Sequence, residues 1–319
     1  MNQMTLMSWY QASAKTRMNP VASILQLNGS FSMYAVTGIT GQVGGVVANT
    51  LLAQGKAVRA VVRSAEKGAP WAACGCEVAL ASMDDVDALR HAFEGAEGVF
   101  VLLPPVFDPS PDFAESRRNI AALRAALDSA KPSRVVVLST VGAQATQPNL
   151  LNQLGIMEKE LRTLPVPVAF LRAAWFFENS VWDVEPARSS GVIPSFLQPL
   201  DKAVPMVGTE DIGRVAAGLL QDSWMGARVV ELEGPRRVTP NEIAAAFADA
   251  LGRDVCMQVV PRGEWEALFR AQGMSNPLPR MQMIDGFNEG WIEFEAPSAT
   301  LKGHVTVDVA IRRIVEGVR

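Results

Sequence analysis

The stretch Tyr34–Gly45, YAVTGITGQVGG, decides the fold. An apolar strand, MYAVTG from Met33, runs into Gly38, Gly41 and Gly44, spaced G-x-x-G-x-x-G. A helix from Gln42 to Gln54 follows, with Val43, Val46, Val47 and Leu51 on one face. Gly55 ends it as a C′ glycine does, and AVRAVVR (57–63) forms the next strand, so the unit is βαβ. Glycines at such a turn permit a tight bend and let backbone N–H groups approach a pyrophosphate held at the positive helix end. With strand, helix and second strand all in place, the triplet reads as a dinucleotide-binding turn.

The alternation continues outward. Strand EVALA (77–81) precedes a helix from Asp84, strand GVFVLL (98–103) a helix from about Phe113 to Ala130, and strand RVVVLS (134–139) a helix around Ile156, before strand PVAFLR (167–172). Continuous apolar strands alternating with helices require a parallel sheet covered on both faces. The expected fold class is therefore α/β, a doubly wound parallel Rossmann sheet with a smaller interwoven C-terminal substrate lobe. Residues 33–175 are assigned to the dinucleotide-binding Rossmann domain and 176–319 mainly to the lobe, with about 205–233 returning to the core.

Composition narrows the function. A net charge of −4 over 319 residues, with no run of Lys or Arg, argues against broad neutralisation of DNA phosphates. Cys74, Cys76 and Cys256 form neither a disulfide framework nor paired zinc-ligand spacing, and read as reduced thiols of a cytoplasmic protein. The longest apolar runs carry proline or arginine and fall short of the ~20 residues that span a bilayer. No metal site is visible. Residues 1–32 contain no acid, and Met33 stands immediately before the first strand. An extension outside the fold is favoured over a targeting peptide, a third alternative being an arm packed through Trp9 and Tyr10.

The end of the second strand selects the dinucleotide. An acid there would take the ribose hydroxyls of NAD, whereas an arginine accommodates the extra phosphate of NADP. The sequence has Arg63 and Ser64, and the first acid of the whole chain is Glu66. NADP(H) is the expected cofactor.

The G-x-x-G-x-x-G spacing points to the short-chain dehydrogenase group. Together with Arg63, FVLLPP (100–105), VVVLSTVGA (135–143), LRAAWFFEN (171–179) and TEDIGRVAA (209–217), it resembles the NmrA-like family of atypical short-chain dehydrogenases, from Met33 to the C-terminus. The resemblance implies either an NADPH-dependent reductase of quinones or aldehydes or a non-catalytic regulator that senses NADP(H). It places cofactor contacts at Gly38, Thr40, Gly41, Gln42, Val43 and Gly44, at Arg63 and Ser64, at Leu103 and Pro104, and at Ser139. Where many relatives have an acid after the third strand, this chain has Ser82, so the adenine contact is expected from Ser82 and the Met83 backbone.

The proton donor is missing. A standard short-chain dehydrogenase uses Tyr-x-x-x-Lys as general acid. Here the two tyrosines are Tyr10 and Tyr34, and the position of the helical lysine in the isoflavone-reductase branch falls on Leu154 and Gly155. Lys159, between Glu158 and Glu160, reads as a solvated ion-pairing residue, and His91 on a helix and His304 in a late strand read as structural. No catalytic residue is assigned. An unactivated ketone needs a proton or strong donor at one oxygen, whereas a quinone yields a delocalised hydroquinone anion that water protonates. Quinone-like or conjugated carbonyl acceptors are therefore the expected substrates, with Thr140 as an orienting hydroxyl. Trp175, Phe176, Phe177 and Trp182 supply apolar surface beyond the sixth strand; Trp175 and Phe176 are the pocket candidates, with Asn179 as polar anchor. Thr239, Pro240 and Glu242 mark a capped helix start in the lobe. Segments 201–206 and 265–294 are expected to close over the nicotinamide end. An NADPH-dependent reductase and an NADP(H)-sensing binding protein that acts on a protein partner both stay open, as does a homodimer.

Overall fold

The computed structural model describes residues 32–317; the expectations for the N-terminal extension, Trp9 and Tyr10 lie outside the described residues. In chain order the first half comprises β1 (Met33–Val36), α1 (Gln42–Ala53), β2 (Ala57–Val62), α2 (Ala65–Ala73), β3 (Glu77–Leu80), α3 (Val86–Phe93), β4 (Gly98–Val101), α4 (Ala114–Ala130), β5 (Arg134–Thr140), α5 (Asn152–Leu161) and β6 (Val168–Ala173). Beyond β6 come β7 (Trp175–Phe176), α6 (Val184–Ser189), β8 (Val192–Ser195), β9 (Met206–Val207), α7 (Thr209–Gln221), β10 (Ala227–Glu233) and α8 (Pro240–Leu251). The chain then forms β11 (Cys256–Val259), α9 (Trp265–Ala271), α10 (Leu278–Glu289), β12 (Leu301–Lys302) and α11 (Val307–Gly317).

Eight strands pair in parallel in the order β12-β10-β6-β5-β4-β1-β2-β3. The strand order reverses at β1 and β4, which opens a crevice beyond their carboxyl ends. Both faces of the sheet are covered, as its apolar strands demand. On one side Val43, Val47 and Leu51 of α1 pack with Ile212, Ala216 and Leu220 of α7. On the other, Leu89 and Phe93 of α3 meet Ile120, Leu123 and Leu127 of α4 and Met157 and Leu161 of α5.

The chain beyond β6 builds a third core from Phe177, Val184, Ile193, Phe247 and Ile311, and a fourth from Trp265, Phe269, Met281 and Ile284. The two short strands β8 and β11 pair there in parallel. α8 starts with the capping box read from Thr239 and Glu242: the Glu242 N–H donates to Thr239 Oγ1 at 3.1 Å and the Thr239 N–H to Glu242 Oε2 at 2.8 Å. α7 and β10 return to the main sheet, and β12 adds its edge strand. Asp211 of α7 is buried and accepts the N–H groups of His304 and Val305 at 2.9 and 2.8 Å, tying the C-terminal segment down. His304 therefore lies past β12 rather than in a strand, because this bond ends the extended segment. Among the described residues no helix is long and apolar enough to cross a membrane.

Candidate functional site

The glycine turn sits at the mouth of the crevice. Gly38 adopts φ +62°, which a side chain resists, and its carbonyl accepts the Gly41 N–H at 2.9 Å. Gly41 is the N-cap of α1 and offers no side-chain cap. The first-turn N–H groups of Gln42, Val43 and Gly44, which have no intrahelical acceptor, therefore point at the crevice. A Cβ on Gly44 would stand 2.3 Å from the Gly38 carbonyl oxygen, so only glycine lets the helix start this close to the strand. Thr40 and Gln42 are exposed at the turn and Val43 is buried beneath it. Thr37, which sequence reasoning passed over, is buried; its hydroxyl donates to Phe100 O at 3.1 Å and accepts the Leu102 N–H at 2.9 Å, locking β1 to β4 at the crevice floor.

At the adenosine side, Arg63 is exposed just past β2. Ser64 caps α2, accepting the Lys67 N–H at 3.5 Å, so the arginine and a positive helix end lie side by side. Ser82 is exposed past β3 and donates to Asp84 at 2.7 Å, a bond that holds the Asp84 carboxyl below its ordinary pKa. Met83 beside it is half-buried. Past β4, the Leu103 side chain is buried in the core with Ile120 and Leu123, and Pro104 is half-buried.

The far side holds a buried ionic network. Ser139, Arg172 and Glu231 stand in register on β5, β6 and β10. Glu158 of α5 accepts Arg172 at 2.9 and 2.8 Å and the Ser139 hydroxyl at 2.5 Å. Arg172 also reaches Glu231 at 3.5 Å and Glu295 at 2.7 Å. Burial alone would lower the Arg172 pKa, but its bonds to Glu158 and Glu295 outweigh that and raise it. The Ser139 hydroxyl is thus committed to Glu158. Glu158 is buried and turned away from Lys159, which is exposed, so the ion pairing expected around Lys159 does not include it. Glu231 in turn accepts the N–H groups of Glu295 and Ala296 at 2.8 and 2.9 Å, which fastens the segment after α10 across the carboxyl ends of β5, β6 and β10.

Thr140, next to Ser139, is half-buried and level with Ala173 across the strand pair. Two residues further, Trp175 meets Phe287 of α10 edge-on, with ring centroids 5.0 Å apart. Trp175 and Phe176 are half-buried against a cluster containing Val141, Ala174 and Ile292. Phe177 is core, Trp182 is 76% exposed and Asn179 is exposed. Glu178 accepts the Thr209 N–H at 3.0 Å and its hydroxyl at 2.8 Å, capping α7; burial raises its pKa against these bonds. The 201–206 segment leads into β9, which pairs with β7. Asp108 accepts the N–H groups of Ser275 and Asn276 at 2.8 and 2.6 Å and joins the β4–α4 loop to the segment just before α10.

The described tyrosine, Tyr34, lies away from this end, and the lysine beside this end, half-buried Lys202, donates to the Asn288 carbonyl at 2.6 Å next to Phe287. Tyr34 is buried at the start of β1, its pKa raised by burial, with its ring against Gly98. At Gly155 a Cβ would lie 2.5 Å from the Ala143 carbonyl oxygen, so α5 packs too closely on its preceding loop to admit a lysine. His91 is exposed on α3, with Glu94 3.5 Å away.

The chain belongs to the NmrA-like family, whose profile matches residues 32–293. It is 26% identical over 259 residues to an NAD(P)H azoreductase of Xenophilus azovorans, covering 81% of this chain and 85% of that protein. It is 24% identical over 286 residues to quinone oxidoreductase 2 of Escherichia coli K12, covering 87% and 96%. The fold matches the solved structure of an Escherichia coli NADPH-dependent quinone oxidoreductase complexed with NADPH, with a TM-score of 0.74 at 23% identity over 88% of this chain and 99% of that one. It also matches triphenylmethane reductase of Citrobacter sp. complexed with NADP(H), with a TM-score of 0.73 at 21% identity over 89% and 100%.

Proposed function

We propose that this chain is an NADPH-dependent oxidoreductase that reduces quinone-like or conjugated carbonyl acceptors without a tyrosine acid. The observation that carries the reading is the turn at Gly38–Gly44, where uncapped N–H groups and a contact that only glycine permits form a cradle for a pyrophosphate. Arg63 and the N-terminus of α2 fit the extra phosphate of NADPH. The relatives' names, an NAD(P)H azoreductase and a quinone oxidoreductase, support the same class.

When bound, NADPH supplies a hydride, which together with one proton from solvent converts a quinone to its hydroquinone and leaves NADP+. The protein's part is positioning. Trp175, braced edge-on by Phe287, and Phe176 offer flat apolar surface beside the carboxyl ends of β5 and β6. Thr140 is the hydroxyl offered to an acceptor oxygen: the Ser139 hydroxyl is held by the buried Glu158, whereas that of Thr140 donates only to the Val141 carbonyl at 3.1 Å, a bond it would exchange for the acceptor. Alignment of this kind can lower the barrier by several kcal/mol. With the segment after α10 pinned by Glu231, the walls are set before the acceptor arrives. Steady-state NADPH oxidation against a panel of quinones and conjugated aldehydes tests the reading. Turnover of quinones with no alkaline limb attributable to a tyrosine or lysine is expected. Rates no faster than the uncatalysed background, with NADPH bound, would replace it by a cofactor-sensing regulator.

A further inference from the structure

α10 presents Arg280, Met283, Ile284 and Phe287 on one face, at i, i+3, i+4 and i+7. Phe287 meets Trp175, and Met283 packs against both the Trp175 cluster and the Trp265–Phe269 cluster. Arg280 stands at the other end of this face, seven residues or about 10 Å along the axis from Phe287. Its guanidinium lies 4.4 Å over the Phe269 ring, and among the described residues its one hydrogen bond runs to Met274 Sδ at 3.7 Å.

The other buried or half-buried guanidiniums in this part of the molecule have acids. Arg262, from the opposite side of the same helix, holds Asp285 at 2.7 Å through two bonds, Arg172 holds Glu158, and Arg237 holds Glu293 at 2.7 Å. Arg280 has no acidic partner among the described residues, and burial lowers its pKa with nothing to oppose the shift. Keeping an unpaired cation half-buried against aromatic and thioether side chains is unfavourable for the fold. A planar fork of this kind binds a carboxylate or sulfonate through paired charge-assisted bonds, and its stacking on Phe269 leaves the edge available.

We infer that Arg280 is a specificity residue that takes an anionic substituent, a carboxylate or sulfonate, carried by the aromatic acceptor whose ring lies at Trp175. The inference rests on the acceptor site proposed above. The spacing along α10 suits a fused two-ring acceptor with its charged group at the end remote from the reacting carbonyl. The groups facing Arg280 from neighbouring elements, Phe269 of α9 and Met274 of the following loop, are uncharged, so the charge preference belongs to the arginine.

The test compares two redox-inert probes, naphthalene-2-sulfonate and its neutral isostere naphthalene-2-sulfonamide, titrated calorimetrically into the NADPH-loaded protein. The sulfonate should bind at least tenfold tighter than the sulfonamide, Arg280→Gln should abolish that ratio, and Arg280→Lys should restore part of it. In turnover, the KM ratio of a naphthoquinone sulfonate to the plain naphthoquinone should rise at least tenfold in Arg280→Gln. Equal binding of the two probes by the wild type, no binding of either, or a ratio unchanged by Arg280→Gln in a folded variant overturns the inference. Absence of turnover with either quinone would count against the oxidoreductase reading instead, and the probe ratio would still decide the role of Arg280.

Discussion

Gly44→Ala adds a single methyl at the closest contact of the site. Its Cβ would lie 2.3 Å from the Gly38 carbonyl oxygen, 2.6 Å from the carbonyl carbon and 2.9 Å from the Ile39 nitrogen. All three are backbone atoms, so no side chain can swing aside. To reach an ordinary contact of about 3.4 Å or more, the N-terminus of α1 must retreat from the turn by about 1 Å. Overpacking of this kind costs about 1–3 kcal/mol in stability. The same retreat spreads the N–H groups of Gln42, Val43 and Gly44 that would hold the pyrophosphate. Loss of one or two charge-assisted bonds, at about 1.5–3 kcal/mol each, weakens NADPH binding by about tenfold to more than a hundredfold. Gly45→Ala is the control one residue on: its Cβ meets nothing nearer than 3.4 Å, and alanine suits a helix interior better by about 0.5–1 kcal/mol. Thermal melts and calorimetric titration of NADPH should therefore show Gly44→Ala destabilised and weakened, and Gly45→Ala neutral or stabilised. If Gly44→Ala melts and binds NADPH like the wild type, the cradle argument is wrong.

Arg63→Ala should weaken NADPH by about tenfold or more and leave NADH nearly unchanged, because the contact removed is to the extra phosphate; equal loss for both cofactors in parallel titrations would reject that role. Arg172→Met strands Glu231 in the interior without its cation, leaves Glu158 only the more exposed Arg162 at 3.7 Å, and should destabilise by about 3–5 kcal/mol in urea unfolding; a change below about 1 kcal/mol would mean the network is relaxed by water. Asp183, at the end of the turn after β7, is pushed up from 3.8 to about 7 by burial, against a hydrogen bond from Ser180. Between about pH 4 and 7 the native state retains a proton that the unfolded chain releases, so stability should fall as pH rises through that window and level off above it. Asp183→Asn removes this slope, and its advantage over the wild type should grow from nothing near pH 4 to at most about 4 kcal/mol above pH 7; parallel melts at pH 4.5 and 8 with identical differences would count against it.

What the sequence by itself determined is local. The βαβ entry, the succession of strands and helices to β6, and the capping box at Thr239 were all legible within a dozen residues, because hydrophobic period, glycine spacing and capping chemistry are properties of neighbouring side chains. The two-residue strands β7 and β9 and the small β8–β11 pair left no such trace, since each is held by a partner distant in sequence. The site divides in the same way. The glycine turn after a strand and the place of Arg63 just past the next strand are local features of the sequence, as is the lack of a Tyr-x-x-x-Lys run. Only the tertiary structure decided that Ser139 is turned to Glu158, through a register joining three strands and a helix up to 92 residues apart in number from β5 to β10. It alone decided that Gly155 excludes a lysine by touching the Ala143 carbonyl, and that Arg280 stacks on Phe269 with no acidic partner among the described residues. Such pairings depend on which long-range neighbours the packed layers bring within a few ångströms, and no local pattern in the chain encodes them.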